Sequence, residues 1–201
     1  MNRMADWMVL ASVLALPAAA GADVIFSNAA ASSDACDAWN DTANPVEIVE
    51  DFTTASNALG QWDVTSIVVN GYGGGIMGGA GPCNINIYPD ASGSPGTRMY
   101  QLANQTLSGS ACGQDHTFAP TDLRLTAGAD YWLGIEALGG ASNACGWRRT
   151  QGNSAGPGDS SYQEDGNGHV FALEGDPVPE PATMGLLAVG GLAVLRRRKR
   201  A

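Results

Sequence analysis

Between residues 23 and 176 apolar and polar side chains alternate in short runs, and no stretch keeps a helical period. The clearest run, 62–72, places Trp62, Val64, Ser66 and Val68 on one face and Ile67 and Val69 on the other. That is the two-residue period of a strand. Similar runs cover 24–27, 45–52, 84–89, 98–107, 116–119, 123–126, 131–138, 145–150 and 169–174. In 84–89 Ile85 and Ile87 turn inward between Asn84 and Asn86, and in 131–138 Tyr131, Leu133, Ile135 and Ala137 share a face. Residues 28–44 are small and polar and read as a loop tied down through Cys36. Gly, Pro and Asp punctuate the rest: 71–82 holds seven glycines in twelve residues, and 90–97 is a turn by composition. Nine or ten short strands without an intervening helix predict an all-β, antiparallel β-sandwich over 23–176.

The two ends break this pattern. Residues 1–22 begin with Arg3, run through an apolar stretch from Trp7 to Leu16, and close in small residues after Pro17. This is the layout of a secretory signal peptide, with the mature chain starting near Gly21 or Asp23. Residues 177–201 have three parts. Pro179-Glu180-Pro181 is held extended by its prolines. The uncharged run 182–195 predicts a short transmembrane helix, fourteen residues long against the roughly 20 of a stable span. Arg196, Arg197, Arg198, Lys199 and Arg200 then form a cytoplasmic tail that stays on the inner side of a bilayer. In order, motif and position this tail resembles the PEP-CTERM sorting signal of bacterial exported proteins. The resemblance implies an exosortase-like membrane processing enzyme as partner, with Pro179, Glu180 and Pro181 as the residues read. It implies an address rather than a chemistry.

Stripping both signals changes the charge. The whole chain carries −10, but the mature part keeps only Arg98, Arg124, Arg148 and Arg149 against 18 acids, a net charge near −14. Such a surface repels phosphate backbones and argues against nucleic acid as a partner. Cys36, Cys83, Cys112 and Cys145 all lie in the mature part and contain no C-x-x-C. In an exported chain this even set reads as two disulfides, with three pairings open.

The candidate chemistry is sparse. Asp159, Glu164, Asp165 and Asn167 are hard oxygen donors in a Gly-rich loop, a calcium candidate without the EF-hand spacing. No other metal site or cofactor is indicated. Trp147, beside Arg148 and Arg149, is the candidate sugar contact, an aromatic face next to the one local cationic spot. His116 and His169 are the only histidines, no G-x-S-x-G elbow occurs, and spacing singles out no pair of carboxylates, so no catalytic residue is assigned.

A second resemblance covers most of residues 52–174. It rests on Asp51-Phe52-Thr53, Trp62-Asp63-Val64-Thr65-Ser66-Ile67, Ile87-Tyr88-Pro89-Asp90 with Gly93-Ser94-Pro95-Gly96, and the run from Leu125-Thr126-Ala127-Gly128-Ala129-Asp130 into Tyr131-Trp132-Leu133-Gly134-Ile135. These segments look like the jelly-roll-like β-sandwich ectodomains found ahead of PEP-CTERM signals, which implies the fold and no activity. The reading is an exported, non-enzymatic structural or adhesive protein of the cell surface or an extracellular polysaccharide matrix, transiently anchored through its C-terminal helix. A carbohydrate-binding module, with or without calcium, is the alternative, and a secreted hydrolase the more distant one.

Overall fold

A computed structural model describes residues 22–29, 32–39, 47–73, 80–109, 113–138, 145–150, 162–163 and 168–179. In chain order the strands are β1 (Asp23–Ser27), β2 (Ser32–Trp39), β3 (Glu47–Thr53), β4 (Gly60–Gly73), β5 (Ala80–Pro89), β6 (Tyr100–Ser108), β7 (Gln114–Phe118), β8 (Arg124–Thr126), β9 (Asp130–Ala137), β10 (Cys145–Thr150), β11 (Tyr162–Gln163) and β12 (Phe171–Pro179). They form two sheets. One is ordered β11-β3-β9-β5-β6, the other β1-β12-β4-β10-β2 with β7 and β8 also on β4. Every pairing is antiparallel except the two-residue parallel match of β11 with β3. The all-β, antiparallel expectation therefore describes the molecule. Among the described residues no helix is long and apolar enough to cross a membrane. The signal peptide and the C-terminal helix lie outside the described residues.

Strand β4 is the spine of the larger sheet. Residues Ile67–Val69 have partners in both β12 and β7, and Gln61–Asp63 in both β12 and β8, so β12 takes one edge of β4 while β8 and β7 share the other. Alternation explains most of the burial. Ile85, Ile87, Leu133, Ile135 and Leu173 are all fully buried, and they meet Ile67, Val69 and Phe171 between the sheets. The aromatic centre packs Phe52 against Phe26, Tyr131 and Phe171, with ring centroids 5.5 to 5.9 Å apart, within the range of favourable ring pairs.

In β4 the expected faces are wrong, for an instructive reason. Trp62, Val64, Ile67 and Val69 all enter the core, although strict alternation puts the first two opposite the last two. The β12 register steps from Gly175↔Val64 to Glu174↔Ser66, so Thr65 is an extra residue: a bulge that turns the second half of the strand over. Gly175 faces this bulge at close quarters, where a Cβ would collide with the Asp63 carbonyl oxygen. Two further differences concern extent. The expected loop at 28–44 contains strand β2, whose small residues pair with the edge of β10. Strand β12 runs past the expected domain end at 176 as far as Pro179.

Candidate functional site

The junction between sandwich and tail is built by β12. Its last three residues pair Pro177↔Trp62, Val178↔Gln61 and Pro179↔Gly60. Proline is tolerated there because β1 begins only at Asp23, opposite Gly175. Beyond that point one edge of β12 has no described neighbour, and alternate prolines present their missing N–H to the same edge. The wall they lean on is firm. Trp62 is buried and its Nε1 donates to the Ala55 carbonyl at 2.7 Å. The Asn57 side chain closes the turn before it, with Oδ1 accepting from the Gly60 N–H at 2.7 Å. The first residue of the motif is thus a strand residue of the folded domain. Because β1 is antiparallel to β12, Asp23 also lies at this end, so the chain enters and leaves at one pole.

The outer face of the five-stranded sheet carries the second arrangement. Glu47 on β3 reaches over Gly134 of β9 to β5, where Asn86 Nδ2 donates to its Oε1 at 2.7 Å and the Tyr88 hydroxyl lies 2.8 Å from both carboxyl oxygens. The span is open only because residue 134 has no side chain. Gln101 Nε2 donates to Asn86 Oδ1 at 3.1 Å, and Asn84 Nδ2 to Glu136 Oε2 at 2.8 Å. Val49, Tyr88 and Trp132 form an apolar cluster beside this network, and Trp132 Nε1 donates to Asp90 Oδ1 at 3.0 Å. Burial pushes the Glu47 carboxyl above its ordinary range, and the Asn86 and Tyr88 hydrogen bonds only partly oppose it. Asp90, in contrast, is held below the usual carboxylate range, first by the Trp132 indole and then by the Gly93 N–H.

A third polar group lies between the sheets. His169, fully buried, sets Nδ1 3.3 Å from Glu50 Oε2, and its ring centroid is 4.8 Å from that of Trp147. Burial raises the Glu50 carboxyl, with the His169 contact acting against it. Chemically, buried Glu47 and half-buried Glu50 are held by fixed hydrogen-bonding partners, as in a structural polar network. Alternation alone could not reveal Glu47 or Glu50, which stand in a strand of mixed polar and apolar residues. The one available signal was a glycine in mid-strand at 134, which marks close approach.

The residues nominated from sequence fare unevenly. Trp147 is a correction: it is 0% exposed, packs on Phe171 and His169, and its Nε1 donates to the Val170 carbonyl at 2.9 Å. Its place on β10, between two other strands, puts its ring in the core, so it presents no face to a sugar. Trp62 and Trp132 are likewise buried. Arg148 is half-buried, and only the backbone of Arg149 is described. The calcium candidates Asp159, Glu164, Asp165 and Asn167 lie outside the described residues, as do Glu180, Pro181 and Arg196, Arg197, Arg198, Lys199 and Arg200. Among the described residues no three His, Cys, Asp or Glu side chains gather as a metal site. Of the expected disulfides none is seen among the described residues: Cys83 and Cys145 are buried and present here in reduced form, Cys36 is described only as a backbone position of β2, and Cys112 lies outside the described residues.

Comparison with known proteins gives one match: residues 177–200 carry the PEP-CTERM protein-sorting motif. No curated protein and no solved structure matches the chain. The motif implies an exported protein processed at the cell envelope by exosortase, a membrane enzyme.

Proposed function

We propose that this exported, exosortase-processed chain is a non-enzymatic structural or adhesive protein of the cell surface or an extracellular polysaccharide matrix. The observation that carries the reading is the continuity of β12 into the sorting motif. Pro177, Val178 and Pro179 pair with β4 in the same strand whose Phe171 and Leu173 fill the core. The sandwich is therefore the cargo that the signal delivers, attached without a spacer. A net charge near −14 keeps such a cargo soluble and repels its neighbours, which suits release into a hydrated matrix. Contact with polysaccharide, in this reading, is made by polar side chains such as exposed Gln101 and half-buried Asn84 and Glu136, because Trp62, Trp132 and Trp147 are all buried. Calcium at the loop of Asp159, Glu164, Asp165 and Asn167 would be an accessory to it.

The test is the intact mass of the protein recovered from the host, with and without Pro179→Ala and Pro181→Ala. Processing predicts a wild-type mass that ends near the motif, and a full-length, membrane-retained variant. A wild-type chain that still ends at Ala201 would overturn the sorting reading. Unaltered retention of the released domain on polysaccharide after Gln101→Ala and Asn84→Ala would remove the proposed contact.

A further inference from the structure

Cys83 belongs to β5 of the five-stranded sheet and Cys145 opens β10 of the other. Both are 0% exposed and belong to the same core cluster between the sheets, where Cys145 is the group that acts most strongly on the Cys83 thiol. The place is fixed on both sides. Cys145 Sγ lies 3.8 Å from the Pro82 carbonyl oxygen, and that oxygen also accepts the Leu138 N–H at 2.9 Å. We infer that Cys83 and Cys145 are partners in one disulfide, a covalent cross-link between the two sheets formed when the exported chain folds.

The step balances with an oxidised dithiol protein as oxidant. One cysteine thiolate attacks its disulfide, the second thiolate displaces the resulting mixed disulfide, two protons leave, and the oxidant departs as a dithiol. Order matters here. In the closed sandwich neither sulfur reaches solvent, and the neighbouring thiol together with burial pushes the Cys83 thiol up, away from the reactive thiolate. The bond must therefore form before the sheets close, and afterwards it is shielded from reductants.

This pairing also reduces the three connectivities to one, leaving Cys36 with Cys112.

The oxidising compartment rests on the export reading, whereas the pairing does not, so two samples separate them. Full-length chain, reduced and denatured, is refolded in a glutathione redox buffer, and in parallel the protein is recovered from the exported fraction. Cleavage after Arg and Glu puts each cysteine in its own peptide, with Cys83 in 51–98 and Cys145 in 137–148. The expected result is a cross-linked 51–98/137–148 species, two hydrogens lighter than its parts, in both samples. Linkage of Cys83 to Cys36 or Cys112, or four free thiols after refolding, would overturn the inference. Free thiols in the exported sample alone would instead count against the oxidising compartment. The Cys83→Ala, Cys145→Ala protein should melt about 10 °C lower than the oxidised form. Folded reduced protein should resist alkylation at both positions until denatured, and rapid labelling would contradict the order of events.

Discussion

Glu47 lies directly across the bare backbone of Gly134: a Cβ at residue 134 would collide with its Oε1. The missing side chain lets a carboxyl on β3 skip over β9 and take hydrogen bonds from Asn86 and Tyr88 on β5. Gly134→Ala should destabilise the domain by about 2 kcal/mol, the scale of overpacking in a close-packed site. The Glu47→Ala change should cost about 1–3 kcal/mol by removing the carboxylate that accepts from the Asn86 amide and the Tyr88 hydroxyl. In the double variant the alanine at 134 meets only the edge of the Tyr88 ring, so the two losses should fall short of their sum. Denaturant unfolding checks this, and strict additivity would mean that the contact carries no strain.

The same carboxyl sets a pH dependence. Burial raises the Glu47 carboxyl above the ordinary value of 4.5, so the folded state holds its proton longer than the unfolded state. The resulting stabilisation is complete below the unfolded value and is lost as pH rises through the folded one. The groups facing Glu47 are Asn86, Tyr88, Glu136 and Arg98; repulsion from Glu136 acts with burial and Arg98 against it. Glu50 is raised for the same first reason and adds a slope of the same sign. Stability measured from pH 4 upward should therefore fall less steeply in Glu47→Gln than in the wild type. A variant curve parallel to the wild type would show that Glu47 titrates alike in both states.

Trp147 should behave as a core residue. Trp147→Ala removes a fully buried indole and leaves the Val170 carbonyl with the Asn70 N–H as its remaining donor, a loss of about 3–5 kcal/mol. Trp147→Phe, which keeps much of the volume, should cost markedly less. Polysaccharide retention by the folded Phe variant should match the wild type, and a selective loss of retention would return Trp147 to the surface.

The position of the C-terminal cut should register in stability. A domain ending at Asp176 lacks the pairing of Pro177, Val178 and Pro179 with β4, whereas one ending at Pro179 keeps it. With one exposed ladder segment lost, the shorter domain should be less stable by about 1–2 kcal/mol. Equal melting temperatures would mean that these residues are strand in shape only.

Much of the sandwich was legible because its core residues alternate: Ile85, Ile87, Leu133 and Ile135 are buried as their spacing requires. What escaped was set by partners rather than by local pattern. The bulge at Thr65 inverts half of β4 because of the register of β12, more than a hundred residues away in sequence. Strand β2 looks like a polar loop because its small residues gain order only against β10. Trp147 looked exposed beside its arginines, and only the packing of β10 against His169 and Phe171 shows otherwise. The sorting motif was fully legible, because a membrane enzyme must read it as a linear peptide.

The strand that leaves for the membrane is not an edge strand. From Ala172 to Gly175 β12 lies between β1 and β4, so tension on the tail is passed on into the interior of the sheet. A pull from the anchor first meets the Pro179↔Gly60 end and must part β12 from β4 pair by pair. Only after Pro177, Val178 and Asp176 have yielded does it reach Gly175, where β1 adds a second ladder. The attachment is thus graded mechanically: a short compliant segment guards a doubly held one. The domain can give up three or four residues to a membrane enzyme at its foot while its core stays closed.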